Sequence, residues 1–272
     1  MAYGRVLRTC CGVLACGLLW TGCSDQQPQE PPESKGGGAS SGAAPTGAQD
    51  PSPGPSRLDF RPDPAKAPRT EADARRLAEA AIAGPDLWGP GFVKRAPFLS
   101  APGHWPVLDD DCVWQGGTRP AGVLYSLTSY SERPATGAKG PLRVAATITV
   151  HRDVKGADWE MADTLEEALR CPDQRLRDGE RITHLMSLGS VYGTGNNLTS
   201  EDSIGEIGKY HNAAFDGPPQ EYGWFQSRLG QVTVATVTKG AAGYTPGEIN
   251  TSRVEAMVGM MNRLEKQLEG SE

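Results

Sequence analysis

Four histidines and one serine-bearing loop are the side chains of this chain that could carry acid–base or nucleophilic chemistry. The histidines stand far apart along the sequence, at His104, His151, His184 and His211. None of them lies in the H-E-x-x-H spacing or in another pattern that brings metal ligands together. Ser190 opens a glycine-rich stretch, so a serine hydrolase site made of Ser190 with His184 or His211 stays open as a hypothesis.

Two other stretches contain residue types that bind ions. Gly189–Asn197 is glycine-rich backbone after a predicted strand, which can bind anions, but it has no phosphate-binding lysine and Glu201 and Asp202 follow it. Asp109–Asp111 could hold Ca²⁺, but the glycine and the spaced acids of a calcium loop are missing. We therefore expect a mobile loop and a solvated turn, with neither a metal nor a cofactor.

Three aromatic residues are the candidates for contacting a ligand. Trp105, Trp114 and Tyr192 lie in or beside loop-like sequence, where aromatic side chains offer a large contact area for little conformational entropy. Trp159 and Trp224, in contrast, fall within a helical and a strand pattern, which favours the core.

The two cysteines in the C-terminal part of the chain are candidates for a disulfide. Of the six cysteines, three lie before Cys23 in the leader. Cys112 and Cys171 remain, and two cysteines in an oxidising compartment pair by default. A metal-binding pair or a catalytic thiol are the alternatives, although no histidine spacing accompanies them.

The N-terminus has the pattern of an export signal that ends at a cysteine. Residues 1–22 carry Arg5 and Arg8, no acidic residue, and an apolar segment shorter than the roughly 20 residues that cross a bilayer. Thr21-Gly22-Cys23 resembles the bacterial lipobox, with Trp20 where that motif usually has leucine. The resemblance implies lipidation of Cys23, including palmitate. An ordinary secretory leader is the alternative.

Residues 23–57 are predicted to be a disordered tether. They are rich in Pro, Gly and Ser and nearly free of large apolar side chains, so they cannot bury enough surface to offset the entropy of folding. We expect a spacer that holds a domain of residues 58–272 on the extracytoplasmic face of the cell membrane. The net charge of −6 argues against a nucleic acid as partner.

Alternating apolar residues and helical spacing predict an α+β fold for residues 58–272. The predicted strands are Val123–Tyr130, Arg143–His151, Ile182–Leu188, Tyr222–Leu229 and Gln231–Thr238. The predicted helices run from Thr70 to about Ala83, over Asp158–Arg170, and from Thr245 through the C-terminal stripe. This pattern predicts a central antiparallel sheet of about five to six strands with helices packed on it.

Two segments resemble a known sensor family. The ending YGWFQSRLGQVTVATVTKG before an amphipathic helix, and the stretch AEAAIAGPDLWGPGFVKRAPF, are similar to the PknH-like extracellular sensor domain of actinobacterial receptor kinases and lipoproteins. The resemblance implies an antiparallel sheet with helices and a ligand-binding cleft. It implies a non-catalytic surface lipoprotein that binds a small ligand or an envelope component, with an exported hydrolase as the alternative.

Overall fold

Helices and long antiparallel strands alternate along the chain. The computed structural model describes residues 58–190, 198–215 and 217–270, so the predicted leader, Cys23, the tether and Tyr192 lie outside the described residues. The helices are α1 (Glu71–Ala81), α2 (Val154–Arg170) and α3 (Pro246–Leu268). The strands are β1 (Val93–Leu99), β2 (Pro106–Leu108), β3 (Trp114–Gly116), β4 (Val123–Arg133), β5 (Leu142–His151), β6 (Gln174–Arg177), β7 (Glu180–Gly189), β8 (Asp202–Asn212), β9 (Gln220–Leu229) and β10 (Val232–Lys239).

Eight of the strands form one antiparallel sheet in the order β1-β4-β5-β10-β9-β8-β7-β6, and β2 pairs with β3. The α+β class is confirmed, but the prediction of five to six strands is too low. The prediction omitted β1, β6 and β8 from the sheet. Strand β8 was missed because Gly205, Glu206, Gly208 and Lys209 interrupt the apolar alternation. Gly208 is required there, since an added Cβ would lie 3.1 Å from the carbonyl oxygen of Thr183.

Local sequence signals set the ends of two helices and of one hairpin. Thr70 caps α1 and Thr245 caps α3, each through a reciprocal capping box with an acid three residues later. Leu229 pairs with Val232, and Gly230 has a φ of +56°, as a two-residue hairpin turn requires. The predicted starts of these two helices and the predicted break between two strands at Gly230 are confirmed.

The main hydrophobic core lies between α1, α3 and one face of the sheet. It is built from alternate residues of the central strands, such as Ile148 and Val234, and from the methionines and leucines of α3. A second, smaller core lies on the opposite face, where Ala168 of α2 packs with Ile182, Tyr210 and Tyr222. The sheet is therefore covered by helices on both faces.

The orientation of α2 differs from the prediction. The apolar spacing of Trp159, Leu165 and Leu169 predicted a buried stripe, yet Trp159 is 60% exposed and Leu169 is 72% exposed. The helix instead turns Ala157 and Met161 inward, along with polar residues that bind the sheet. The prediction that Trp159 is a core residue is wrong, because polar contacts and small side chains decide which face of α2 packs.

The sheet is curled, so that strands distant in its order meet across the α2-side face. The Nζ of Lys239 on β10 lies 3.1 Å from Oε2 of Glu180 on β7, although β9 and β8 stand between these strands. Arg143 on β5 also reaches Glu180, at 3.5 Å. No helix among residues 58–190, 198–215 and 217–270 is long and apolar enough to cross a membrane.

Candidate ligand-binding site

The concave face of the curled sheet divides into two ends. At one end α2 closes the face through Glu160, which accepts hydrogen bonds from Gln226 at 2.9 Å and Thr233 at 2.9 Å and pairs with His151. At the other end no helix covers the sheet in the described part of the chain, and charged side chains fill the concavity. This second end is the candidate site.

Glu180 is the buried centre of the charged end. It accepts hydrogen bonds from Arg177, from Lys239 and from Asn212 at 3.2 Å. Burial opposes ionisation of this carboxyl, but the hydrogen bonds and charges of Arg177 and Lys239 outweigh it and lower the pKa of Glu180 to about 2. The carboxylate is therefore ionised at any physiological pH. Its hydrogen bonds link β7 to β6, β8 and β10.

Positive charge exceeds negative charge at this end of the sheet. Four cations, hereafter the cation cluster, face two carboxylates. The cations are Arg95, Arg143, Arg177 and Lys239, and the carboxylates are those of Glu180 and of Glu132 on β4. The pKa of Arg95 is lowered by burial and then by the charges of Arg143 and Arg177. The pKa of Lys239 is lowered by burial, with Arg177 and Arg95 adding to the effect. The four cations are thus close enough to repel one another.

Two guanidinium groups of the cation cluster contain buried nitrogen atoms with no hydrogen-bond acceptor. These atoms are Nε of Arg95 and Nε of Arg143. The nearest carboxylate to the latter is Glu132, at 4.0 Å, which is too long for a hydrogen bond. Arg133 and Arg228, outside the cation cluster, also contain a buried Nε atom without a hydrogen-bond partner, so this feature is not confined to the cluster.

Aromatic rings support three members of the cation cluster. The guanidinium of Arg95 lies 5.0 Å from the ring centre of Tyr130, and that of Arg143 lies 4.9 Å from Phe215. Lys239 lies 5.3 Å from the ring of Tyr210. Stacking of this kind stabilises the cations and holds their side chains in place. The site therefore combines fixed positive charge with flat apolar surface.

A broad groove adjoins the cation cluster. Its volume is about 1170 Å³, and its wall includes Arg177, Glu180, Tyr210 and Phe215. Typical small-molecule pockets measure about 300–1,000 Å³, so the groove can admit an organic ligand together with water. The charged end of the sheet is thus open to solvent on the side of Arg177, which is itself exposed.

The disulfide predicted from the sequence is present and lies at the edge of this groove. Cys112 and Cys171 are bonded, with 5.5 Å between their Cα atoms. The bond ties the segment before β3 to the end of α2, and Arg175 donates from its backbone to the carbonyl of Cys112 at 2.9 Å. Cys112 lines the groove, so the bond fixes part of its wall.

Neither of the predicted tryptophans, Trp105 and Trp114, is part of the wall of the groove. Trp105 precedes β2, where its carbonyl accepts from Gly117 at 2.7 Å. Trp114 begins β3, and its indole N–H donates to Gln174 at 2.8 Å. Both side chains are half-buried. Trp224, predicted to be core, is likewise half-buried and packs against the smaller core.

Ser190 and the two histidines considered with it are not assembled into one site. The Ser190 hydroxyl lies 3.4 Å from that of Ser203 at the start of β8, whereas His211 near the end of the same strand hydrogen-bonds with Thr183. Ser203 and His211 are eight positions apart on β8, a distance of about 26 Å. His184 lies on β7 six positions before Ser190; because β7 bulges, they are separated by about four partner positions of β8, about 13 Å.

A pair of carboxyl groups lies between α2 and the sheet, and no sequence motif singled it out. Glu206 on β8 is 5% exposed, and its Oε1 has no hydrogen-bond partner. Burial and the charge of Glu167 on α2 raise the pKa of Glu206 to about 8. Burial, then Asp163, raise the pKa of Glu167 to about 7. The only available signal was an acid in a strand of mostly apolar and glycine residues.

The cation cluster was not predicted either, because its four members come from four separate strands. Arg143 was a polar position of a predicted strand, whereas Arg95, Arg177 and Lys239 lay outside the predicted strands. Only the curl of the sheet places them around Glu180. Comparison with family models, with curated proteins and with solved structures finds no match for this chain.

Proposed function

We propose that residues 58–272 form a non-catalytic ligand-binding domain whose site is the charged end of the curled sheet. The observation that carries the proposal is the excess of positive charge that the cation cluster holds beside an open groove. Hydrogen-bond donors held by aromatic rings recognise a ligand, whereas acyl or glycosyl transfer needs a nucleophile with a nearby base.

We further propose that the chain is a lipoprotein anchored by Cys23 on the extracytoplasmic face of the membrane. The lipobox-like Thr21-Gly22-Cys23 and the Pro/Gly/Ser-rich tether support this proposal. The Cys112–Cys171 disulfide supports it as well, because such bonds persist in oxidising compartments. In this setting the domain binds a small molecule or a component of the cell envelope and acts as a sensor.

The proposal is tested by screening the purified chain for ligands. Ligand-observed NMR with cell-wall fragments, lipid headgroup compounds, neutral sugars and small organic acids should yield saturable binders. In a second set of spectra that record the protein itself, these binders should shift the side-chain Nε–H resonances of Arg95 and Arg143. The proposal fails if every binder leaves those resonances unchanged, or if a bound compound is steadily turned over.

A further inference from the structure

The balance of charge in the cation cluster indicates the class of ligand. Arg95, Arg143, Arg177 and Lys239 supply four positive charges, and Glu132 and Glu180 supply two negative ones. Two positive charges remain uncompensated within a chain whose net charge is −6. Confining like charges is costly, so an acidic protein that keeps them together at one place has a use for them.

The donor geometry indicates the same class. Guanidinium groups bind oxyanions through parallel N–H bonds, which suits carboxylate and phosphate groups. Arg95 and Arg143 lie on the same face of the sheet, on the two strands that flank β4. The rings of Tyr130 and Phe215 stack on these two guanidinium groups and present apolar surface beside them.

We propose that the cation cluster binds a small organic molecule that carries a doubly charged oxyanion next to a flat apolar group. The oxyanion accepts hydrogen bonds from Arg95 and Arg143 and neutralises the two excess charges. The flat group lies in the groove beside Tyr210 and Phe215. A phosphate monoester and an aromatic dicarboxylate share this chemistry. The inference rests on the proposed ligand-binding function and names the ligand class for the same site.

The proposal is tested by isothermal titration calorimetry of the full chain with three probes that share one ring. At pH 7.5 phenyl phosphate carries two negative charges, phenyl sulfate one, and benzylamine a positive charge. Phenyl phosphate should bind at least tenfold more tightly than phenyl sulfate, and benzylamine should show no binding. Phthalate, a dicarboxylate on the same kind of ring, should compete with phenyl phosphate.

Two charge-removing variants and one control locate the binding. Arg95→Gln and Arg143→Gln should each weaken phenyl phosphate at least tenfold, because a charged hydrogen bond is lost. Arg75→Gln makes the same change of charge on α1, where Arg75 is exposed and pairs with Glu79, and should leave binding unchanged. Arg95→Gln should also melt no lower than the parent without ligand, since it relieves repulsion among the cations.

The outcomes separate the ligand class from the proposed function. Equal affinity for phenyl sulfate and phenyl phosphate, or equal weakening by Arg75→Gln and Arg95→Gln, would overturn the dianion proposal. Binding of benzylamine that Arg95→Gln abolishes would overturn the ligand class and leave the site intact. If none of the three probes binds, the dianion proposal fails, while the proposed function is decided by the wider NMR screen.

Discussion

Replacing Glu206 by Gln should remove part of the stability that the domain loses as the pH rises from 5 to 8, while Glu167 continues to contribute to that loss. Burial, with the charge of Glu167 adding to it, raises the pKa of Glu206 from 4.5 to about 8. A carboxyl with a raised pKa contributes full stability below its ordinary pKa and loses that contribution as the pH rises towards its pKa in the folded state. The parent chain should therefore lose stability between pH 4.5 and pH 8.

The size of this loss of stability follows from how much more tightly the folded state holds the proton of Glu206 than the unfolded state does. One pH unit corresponds to about 1.4 kcal/mol, and at pH 7 the solution lies about 2.5 units above the ordinary pKa of a glutamate. Glu206 alone should therefore lower the free energy of unfolding of the parent by about 3 kcal/mol from pH 4.5 to pH 7. The side chain of the Glu206→Gln variant carries no charge at any pH, so this contribution should disappear, while the contribution of Glu167 remains.

The assay is urea unfolding followed by far-UV circular dichroism at pH 5, 6, 7 and 8, with the disulfide intact. Glu206→Gln should gain on the parent steadily as the pH rises. Glu166→Gln is the control, because Glu166 lies on α2 but is exposed and pairs only with Arg170 in the described structure. Parallel pH profiles for the parent and Glu206→Gln would refute the reasoning.

Three further predictions concern the disulfide, the anchor and the exposed face of α2. Replacing both Cys112 and Cys171 by Ser should lower the free energy of unfolding by about 4 kcal/mol in denaturant titrations; an unchanged midpoint would contradict this. Cys23→Ala should move the chain out of the membrane fraction on cell fractionation, and equal distribution of both forms would argue against a lipid anchor. Trp159→Gln should change the melting temperature little, whereas Trp88→Ala should lower the free energy of unfolding by about 3–5 kcal/mol; equal losses would contradict the orientation of α2.

Features set by neighbouring residues could be predicted from the sequence. The capping boxes at Thr70 and Thr245 and the turn at Gly230 each depend on side chains within three positions of one another. The alternation of β5 likewise reflects burial of one face against the main core. Such signals fixed the α+β class and the position of five of the strands, with ends that differ by a few residues.

Features set by contacts distant in sequence could not be predicted in the same way. The buried face of α2 is chosen by hydrogen bonds that Thr164 donates to β9 and that Glu160 accepts from β9 and β10, which the apolar spacing of the helix does not show. The pairing of Lys239 with Glu180 depends on how far the sheet curls across four strands. The candidate site exists only because of that curl, so no local pattern in the sequence indicated that its residues come together.

The central claim is that a ligand binds at the charged end of the curled sheet. A crystal structure of the chain with phenyl phosphate tests it most directly. The account predicts phosphate oxygen atoms within about 3 Å of guanidinium nitrogen atoms of Arg95 and Arg143, with the ring beside Phe215. A phosphate bound elsewhere, for instance against Trp105 and Trp114, or no bound phosphate at saturating concentration, would contradict the account.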